Sequence, residues 1–194
     1  MGTHMRAKTR VAVLISGRGS NLQALIDAEQ EAYEIVVVVS NVADAGGLQR
    51  ARDAGIEALT LDHKPFGKDR EAFERELNAL LHARHVELIA LAGFMRVLTP
   101  YFVNSWKGRL VNIHPSLLPK YPGAKTHERA LAAGESEHGC TVHLVVEEVD
   151  AGRILGQARM PILAGDTPET LADRVLTLEH ELYPRCLAAL ARSL

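Results

Sequence analysis

Short, uninterrupted apolar runs recur along the first half of the chain and alternate with stretches of helical periodicity. The runs are Arg10–Ser16, Ile35–Ser40, the weaker Ile56–Leu61, Val86–Ala92 and Leu110–Ile113. Runs of this length, rich in β-branched residues, are typical of strands that are buried on both faces. Because helices between such strands favour parallel pairing, the chain is predicted to be an α/β protein. The expected fold is a Rossmann-like, mostly parallel twisted sheet with helices on both faces.

The pattern changes in the last third of the chain. Alternating segments at Gly139–Val146 and Ile154–Ile162 flank the turn signal Asp150–Gly152, which predicts a C-terminal antiparallel hairpin. A long helical pattern then closes the chain. Pro184 lies inside that pattern, so a kink or a restart of the helix is expected there.

The composition is that of an ordinary globular protein, with 47% hydrophobic residues, 24% charged residues and a formal net charge of −2. This balance argues against nucleic acid as the main partner, and no apolar run approaches the roughly 18 residues of a membrane span. Residues 6–194 are predicted to form one domain with halves 6–109 and 110–194, whereas residues 1–5 have the pattern of a vector-derived tag. The two cysteines match no metal or redox spacing, which favours a cytoplasmic protein.

A glycine-rich stretch, Gly17–Asn21, directly follows the first predicted strand, and Leu22 begins a helical pattern. Glycines let the backbone approach a ligand closely, and the N–H groups at a helix start favour phosphate. Ser20 and Asn21 are residue types that cap helices. A dinucleotide site would need glycine in place of Leu22 and an acidic residue in place of Asn41, so a phosphomonoester fits better than NAD. A tight turn that binds nothing is the alternative.

Asn112 and His114 lie two residues apart at the end of the predicted strand Leu110–Ile113. Side chains two apart on a strand point to the same face, so an amide and an imidazole share one strand end. Pro115 and Pro119 stop the strand and stiffen the chain that leaves it. Such an arrangement is typical of a site prepared for chemistry. A core histidine and a turn asparagine, each satisfied locally, are the alternative.

With these features the chain resembles the folate-dependent formyltransferases, and among them the phosphoribosylglycinamide formyltransferases of purine synthesis. The matching stretches are Ile15–Leu22, Leu91–Arg96, Asn112–Pro119, His138–His143 and Asp150–Gly152. The third of these is shared by the wider class that uses 10-formyltetrahydrofolate, whereas the glycine-rich stretch points to the phosphorylated acceptor. The resemblance implies transfer of the formyl group of 10-formyltetrahydrofolate to the amine of 5-phosphoribosylglycinamide, a step of one-carbon metabolism in purine biosynthesis.

The resemblance also implies roles for individual residues. Asn112, His114 and Asp150 match the catalytic trio of the family. The implied substrate contacts are Gly19, Ser20, Asn21, Met95, Leu176, Thr177, Leu178 and Glu179. The implied folate contacts are Arg70, Met95, Arg96, Val97, Leu98, Asn112, Val146, Glu147, Glu148, Val149 and Asp150. Arg18 and the apolar Leu176 depart from the family pattern, which puts a side-chain hydrogen bond at position 176 in question.

Formyl transfer to an amine is acyl transfer, in which an oxyanion develops at the formyl group. Asn112 and a protonated His114 are expected to donate hydrogen bonds to that oxyanion. A nearby carboxylate raises the pKa of a histidine, and Asp150 is the candidate for that role. Direct attack by the amine is expected, with no metal required. Ser116 lies outside any nucleophile-elbow motif and is expected to hydrogen-bond within its loop. His143, expected to be structural like His138, is the better candidate for a supporting position.

Other function classes stay open from the sequence. A 10-formyltetrahydrofolate hydrolase or a methionyl-tRNA formyltransferase would share Asn112–Pro119 but is expected to carry a further domain. A non-catalytic phosphate-binding module would explain the glycine-rich stretch but not the trio. The expected partners are two small molecules, with no nucleic acid and no membrane. The hairpin and the last helix offer surfaces for a homodimer.

Overall fold

The computed structural model describes residues 6–28 and 31–194, in which a single sheet of seven strands forms the centre of the fold. The strands are β1 (Thr9–Ile15), β2 (Tyr33–Ser40), β3 (Glu57–Thr60), β4 (Leu88–Leu91), β5 (Leu110–His114), β6 (Glu137–Leu144) and β7 (Ile154–Pro161). Their order across the sheet is β3-β2-β1-β4-β5-β6-β7. The stretch 1–5, predicted to be a tag, lies outside the described residues.

Strand direction divides the sheet into two parts. Strands β1 to β5 pair in parallel, whereas β6 is antiparallel to both β5 and β7. The predicted fold class, a mostly parallel Rossmann-like sheet with a C-terminal antiparallel hairpin, is confirmed. The strand ends differ from the predicted ones by up to two residues, because hydrogen-bonded pairing rather than hydrophobicity sets where a strand stops.

Helices cover both faces of the sheet. They are α1 (Ser20–Asp27), α2 (Gly47–Asp53), α3 (Arg70–Ala83), α4 (Pro100–Ser105), α5 (Thr126–Ala132) and α6 (Pro168–Ser193). Val11, Val13 and Ile15 of β1 pack with α1, α2 and α6, whereas Ala12 and Leu14 pack with α3 and α4 on the other face. Since both faces of the strand are covered, its sequence is continuously apolar.

The helices α3 and α1 begin with different caps. Asp69 caps α3, because its carboxylate accepts a backbone N–H of the first turn at 3.0 Å. The prediction that Ser20 and Asn21 cap α1 is wrong. Gly19 occupies the N-cap position in the left-handed conformation, with φ 75°, and Ser20 is already helical. The side chains of Ser20 and Asn21 are therefore free for other contacts.

The last helix, α6, packs along the sheet and spans 26 residues. Its buried Tyr183 donates its hydroxyl to the Leu91 carbonyl at 2.7 Å, which ties the helix to the middle of the sheet. The helix continues through Pro184 without the predicted restart. Cys186 of this helix and Cys140 of β6 are free and buried. No helix of the described ranges, α6 included, combines the length and apolar character needed to cross a membrane.

Candidate active site

Asn112 and His114 lie on one face of β5, at the carboxyl end of the strand. The antiparallel pairing of β5 with β6 places Asn112 opposite His143 and His114 opposite Thr141. His114 is buried, and Asn112 is half-buried and borders a cavity. The alternation that the sequence predicted therefore brings the amide and the imidazole to the same strand end.

Asp150 reaches this strand end from the loop between β6 and β7. One of its carboxylate oxygens, Oδ2, lies 3.5 Å from Nδ1 of His114, and the other, Oδ1, lies 3.7 Å from Nε2 of His143. Oδ2 also accepts the backbone N–H of Gly123 at 2.8 Å. The three residues that the resemblance named are thus brought together, with His143 beside them.

Gly152 explains how the loop closes behind Asp150. A Cβ atom at this position would lie 1.7 Å from the carbonyl oxygen of Leu144, so only glycine allows the two chain segments to approach this closely. Next to it, the N–H of Leu144 donates to the carbonyl of Arg153 at 2.9 Å. These contacts close the hairpin two residues beyond Asp150 and fix the position of its backbone.

A backbone carbonyl orients the His114 ring. Nε2 of His114 lies 2.8 Å from the carbonyl oxygen of Tyr121. Because a carbonyl only accepts hydrogen bonds, we assign a proton to Nε2, which leaves Nδ1 facing Asp150. The loop that carries Tyr121 is held by Ser116, whose buried hydroxyl donates to a carbonyl within the loop at 2.7 Å, as expected. The hydroxyl of Thr141 on β6 in turn donates to the Ser116 carbonyl at 2.7 Å.

His143 stands beside the trio as a neutral imidazole. Its ring is buried, and burial lowers its pKa more than the contacts with Leu144 and Asp150 raise it. Nδ1 donates to the Leu144 carbonyl at 3.0 Å. Nε2 is then an unprotonated nitrogen that faces Asp150, and it has no hydrogen-bond partner among the described residues. A hydrogen-bond donor placed between His143 Nε2 and the Asp150 carboxylate would satisfy both acceptors.

A second histidine pair lies within electrostatic range of His114. Nδ1 of His127 lies 2.9 Å from Nε2 of His138. Burial lowers the pKa of His138 to about 4, and burial also lowers the pKa of His127. Both rings are therefore neutral at pH 7, in line with the structural role expected for His138.

A cavity of about 190 Å³ opens beside Asn112, His143 and Asp150. Apolar side chains stay exposed around it: Met95 is 81% exposed, and Val149 is 65% exposed. Exposed apolar groups next to a polar cluster are typical of a ligand site. A larger cavity of about 730 Å³ lies at the amino ends of β1 and β2, away from the trio. We take the smaller cavity as the site, because ligands of open α/β sheets bind at the carboxyl ends of the strands.

The glycine-rich stretch packs closely against the start of α2. A Cβ atom on Gly19 would lie 2.8 Å from the Cα atom of Gly47, and one on Gly47 would lie 2.5 Å from a methyl carbon of Ile15. The N–H of Gly47 donates to the carbonyl of Gly17 at 3.0 Å. The loop is therefore held in a compact form at the start of α1, with Ser20 and Asn21 in the first turn.

Asn21 and Glu179 join the first helix to the last. Nδ2 of Asn21 donates to Oε1 of Glu179 at 3.2 Å, whereas Oδ1 of Asn21 is buried and has no partner among the described residues. Burial raises the pKa of Glu179, against the lowering effect of this hydrogen bond. Of the other α6 residues implied as substrate contacts, Thr177 is exposed, Leu176 is half-buried and Leu178 packs against the core.

The formyl transferase family model matches residues 9–187 of the chain. The chain belongs to the formyl transferase family. It is 50% identical over 177 residues to the phosphoribosylglycinamide formyltransferase of Escherichia coli K12, a match that covers 90% of this chain and 83% of that protein. The structure of the phosphoribosylglycinamide formyltransferase from Coxiella burnetii is 51% identical, covers 96% of this chain and 88% of its own, and superposes with a TM-score of 0.90.

The chain also resembles one part of much longer proteins. It is 54% identical over 189 residues to the trifunctional purine biosynthetic protein adenosine-3 of Drosophila pseudoobscura pseudoobscura. That match covers 95% of this chain but only 14% of the trifunctional protein. This member of the formyl transferase family therefore corresponds to only one part of the trifunctional protein, and the activity of that whole protein does not follow for it.

Most of the implied folate contacts border the cavity, and three do not. Those on its wall are Arg96, Val97, Leu98, Asn112, Val146, Glu147, Val149 and Asp150. Met95 and Glu148 belong to the same two chain segments but lie outside the wall. Arg70 is the exposed first residue of α3 and also lies outside it. Within residues 6–28 and 31–194, no group of three or more His, Cys, Asp or Glu residues is placed to hold a metal ion.

Several groups that shape the site carried no recognised signal in the sequence. The Tyr121 carbonyl and the Gly123 N–H are backbone groups, which every residue type offers, so no residue pattern marks them. Gly47 had a visible signal, because the pair Gly46-Gly47 opens a helix directly after a predicted strand and its turn. The close approach of Gly47 to Gly19 gives that pair a role in shaping the loop.

Proposed function

We propose that this protein transfers the formyl group of 10-formyltetrahydrofolate to the amine of 5-phosphoribosylglycinamide. The observation that carries the proposal is the meeting of Asn112, His114 and Asp150 at one strand end beside an apolar cavity. The name and the extent of the Escherichia coli relative support the same activity. The further activities of the trifunctional relatives are not carried over, since this chain covers a small share of their length.

In this proposal the pterin of the formyl donor lies in the cavity between the segments Met95–Leu98 and Val146–Asp150. A pterin is flat, so its faces suit exposed apolar side chains such as Val97 and Val149. Its polar edge suits backbone N–H and carbonyl groups, which both irregular segments offer. Arg70 is exposed and cationic, and in this proposal it attracts the acidic tail of the donor from outside the cavity.

The acceptor binds at the start of α1. The free N–H groups of a helix start and its positive dipole end stabilise a phosphate, and the hydroxyl of Ser20 adds a further donor. Gly19 allows the phosphate to approach the backbone closely. Beyond the phosphate, the Glu179 carboxylate and the unpartnered Oδ1 of Asn21 accept hydrogen bonds from the N–H groups of the glycinamide part.

The reaction proceeds by direct attack of the amine. The lone pair of the neutral amine forms the new C–N bond to the formyl carbon, and the carbonyl π electrons move to oxygen. About a tenth of an α-amino group with a pKa near 8 is neutral at pH 7. Asn112 and protonated His114 donate to the resulting oxyanion. The attacking nitrogen loses its proton, N10 gains one, and the C–N10 bond breaks to release tetrahydrofolate and the formylated amide.

Asp150 has two roles in this sequence of steps. Its charge stabilises the His114 imidazolium, whose Nε2 proton is held by the Tyr121 carbonyl and whose Nδ1 lies 3.5 Å from Asp150 Oδ2. The Nδ1 proton is then the one that His114 offers to the oxyanion, beside Asp150. The same carboxylate is a base near the attacking nitrogen, and His143 Nε2 is a second acceptor beside it. A water or the carboxylate itself then carries the proton to N10.

Features of the chain as a whole stay predictions. They are the division into halves at residue 110, a homodimer and a cytoplasmic location. The sheet continues from β3 to β7 across the proposed division, so the two halves share one core layer. Light scattering after size-exclusion chromatography measures the mass of the protein in solution and would show whether it is a monomer or a homodimer.

A turnover assay with three acceptors tests the proposed function. 10-Formyltetrahydrofolate is supplied with glycinamide ribonucleotide, with glycinamide that lacks the phosphoribosyl group, or with water alone. Transfer to the ribonucleotide and to neither of the others is the expected result. Equal deformylation in water alone would establish a hydrolase instead. Binding of a phosphorylated ligand with no turnover under any condition would leave a non-catalytic binding module.

A further inference from the structure

The segment Met95–Leu98 has no regular secondary structure to fix its position. It connects β4 to α4, and Met95 and Val97 are exposed to solvent. In the described part of the chain, the N–H groups of residues 96–98 donate to no protein acceptor. A segment with free backbone donors can present them to a ligand, but only if other contacts hold it in place.

Ser16 holds the beginning of this segment. Its hydroxyl oxygen accepts the N–H of Met95 at 2.8 Å and donates its proton to Oδ1 of Asn41 at 2.5 Å. Asn41 is 3% exposed and lies directly beyond β2. The Ser16 hydroxyl is therefore oriented by a buried amide before it meets the segment.

Glu74 holds the end of the segment. This residue of α3 is 1% exposed, and its Oε2 accepts the N–H of Thr99 at 2.8 Å, while the Thr99 hydroxyl donates to Oε1. Thr99 occupies the N-cap position of α4, but its hydroxyl donates to Glu74 and makes no cap hydrogen bond. The guanidinium of Arg96 also lies 5.5 Å from the ring centre of Phe73, so the segment meets α3 twice.

We propose that Ser16 and Glu74 are positioning residues that hold the segment Met95–Leu98 in the form that binds the formyl donor. The proposal rests on the proposed function, because it takes this segment as part of the donor site. A buried carboxylate is unfavourable unless its hydrogen bonds are satisfied, and here both oxygens are used on one residue at the end of the segment. When the segment is held in its binding form beforehand, donor binding does not have to order it.

Four variants separate positioning from general stability. Ser16→Ala removes the acceptor for Met95. Glu74→Leu removes both acceptors for Thr99 at similar volume. Glu74→Gln is the rescue, since its amide oxygen still accepts the Thr99 N–H and its amide group donates to the Thr99 hydroxyl. Glu71→Gln is the matched control on the same helix, where Glu71 is exposed and 3.8 Å from Arg75.

Steady-state kinetics give the first readout. We expect Ser16→Ala, which removes one hydrogen bond to the segment, and Glu74→Leu, which removes two, each to raise KM for 10-formyltetrahydrofolate by about tenfold or more. KM for the acceptor and kcat should stay within about twofold, and Glu74→Gln and Glu71→Gln should behave as the unmodified protein. A parallel rise in KM for both substrates, or a loss of kcat with an unchanged donor KM, would overturn the proposal.

Two readouts need no turnover and keep the inference separate from the proposed function. Calorimetric binding of tetrahydrofolate should weaken in Ser16→Ala and Glu74→Leu, and amide hydrogen exchange should accelerate at residues 95–99. If the protein binds tetrahydrofolate without turnover and the variants bind it less tightly, the positioning role stands while the proposed function fails. If turnover occurs and donor affinity is the same in all variants, the positioning role alone fails. Thr99→Val, which removes only the hydroxyl, replaces Glu74→Leu if that variant does not fold.

Discussion

Asp150 Oδ2 lies 3.5 Å from His114 Nδ1, and the side chains of both residues are less than 10% exposed. The two groups come from different parts of the chain, one from the end of β5 and the other from the loop after β6. Because both side chains are buried, water screens the electrostatic interaction between them less than it would at the surface. The chemistry proposed for the protein therefore depends on one carboxylate that no regular element carries.

Replacing this carboxylate by its amide tests that dependence. Asp150→Asn keeps the size of the side chain and an oxygen that accepts the Gly123 N–H, but it removes the charge. We expect kcat to fall roughly 10²- to 10³-fold, the scale of losing one transition-state contact, while tetrahydrofolate affinity changes less than about threefold. Rapid-mix assays and calorimetry measure the two quantities. Asp173→Asn, an exposed change on α6, is the control, and an Asp150→Asn protein with full kcat would rule out the role of Asp150.

The close contact of Gly19 with Gly47 predicts a specific defect in acceptor binding. A Cβ atom on Gly19 would meet the Gly47 backbone at 2.8 Å, so Gly19→Ala must shift the loop. We expect KM for glycinamide ribonucleotide to rise at least about tenfold, with donor KM unchanged, because phosphate contacts depend on the position of the loop.

Gly55→Ala is the matched control for this change. Gly55 also has a positive φ, 72°, but a Cβ atom there meets nothing within 4 Å. Gly55→Ala should lose about 1 kcal/mol of unfolding free energy in urea, because alanine is strained at positive φ, and Gly19→Ala should lose at least as much. Only Gly19→Ala should change acceptor KM. Equal effects of the two variants on that KM would show that the loop position does not matter.

Most of the fold could be predicted because it follows from local residue patterns in the sequence. Continuous apolar runs such as Val11–Ile15 arise because both faces of a central parallel strand are covered, and the same cause produces the observed sheet. The hairpin was visible because Gly152 is needed where two chain segments touch. The cap of α1 could not be predicted from the sequence, since Gly19 itself takes the N-cap position and leaves Ser20 and Asn21 inside the helix.

The sequence predicted only those parts of the site that are formed by side chains. The spacing of Asn112 and His114 placed them on one face from the sequence alone, but nothing local linked them to Asp150, which the hairpin brings in. The Tyr121 carbonyl, which orients His114, belongs to the backbone and has no residue signature. Glu74 has the sequence context of an ordinary helix-surface residue, and only packing shows that its carboxylate is buried against Thr99.

Glu179→Gln should weaken acceptor binding while making the protein more stable at neutral pH. Burial raises the pKa of Glu179 in the folded state, so its stabilising contribution is present below the unfolded pKa and is lost as pH rises through the folded pKa. A neutral glutamine avoids that loss. The gain in unfolding free energy of Glu179→Gln should therefore grow as pH rises from about 4 to 7.

Acceptor KM of the same variant should rise several-fold, because the amide replaces a charged acceptor for the N–H groups of the substrate. Urea unfolding at several pH values and steady-state kinetics give the two readouts. Glu181→Gln, an exposed change two residues along α6, is the control for both. A stability gain that does not vary with pH would contradict the assigned cause.

His138 should make the protein less stable in acid. Burial lowers its pKa in the folded state from 6.5 to about 4, so the unfolded chain takes up the proton first as pH falls. The sign follows from linkage: stability is fully present above about pH 6.5 and is lost as pH falls towards 4. Urea midpoints of the unmodified protein should drop over this range, and His138→Gln and His138→Asn should each show a smaller drop. Any change in the hydrogen bond with His127 acts at every pH, so only the missing proton site alters how steeply stability falls with pH. If both variants kept the full pH dependence, the acid sensitivity would have to come from groups other than His138.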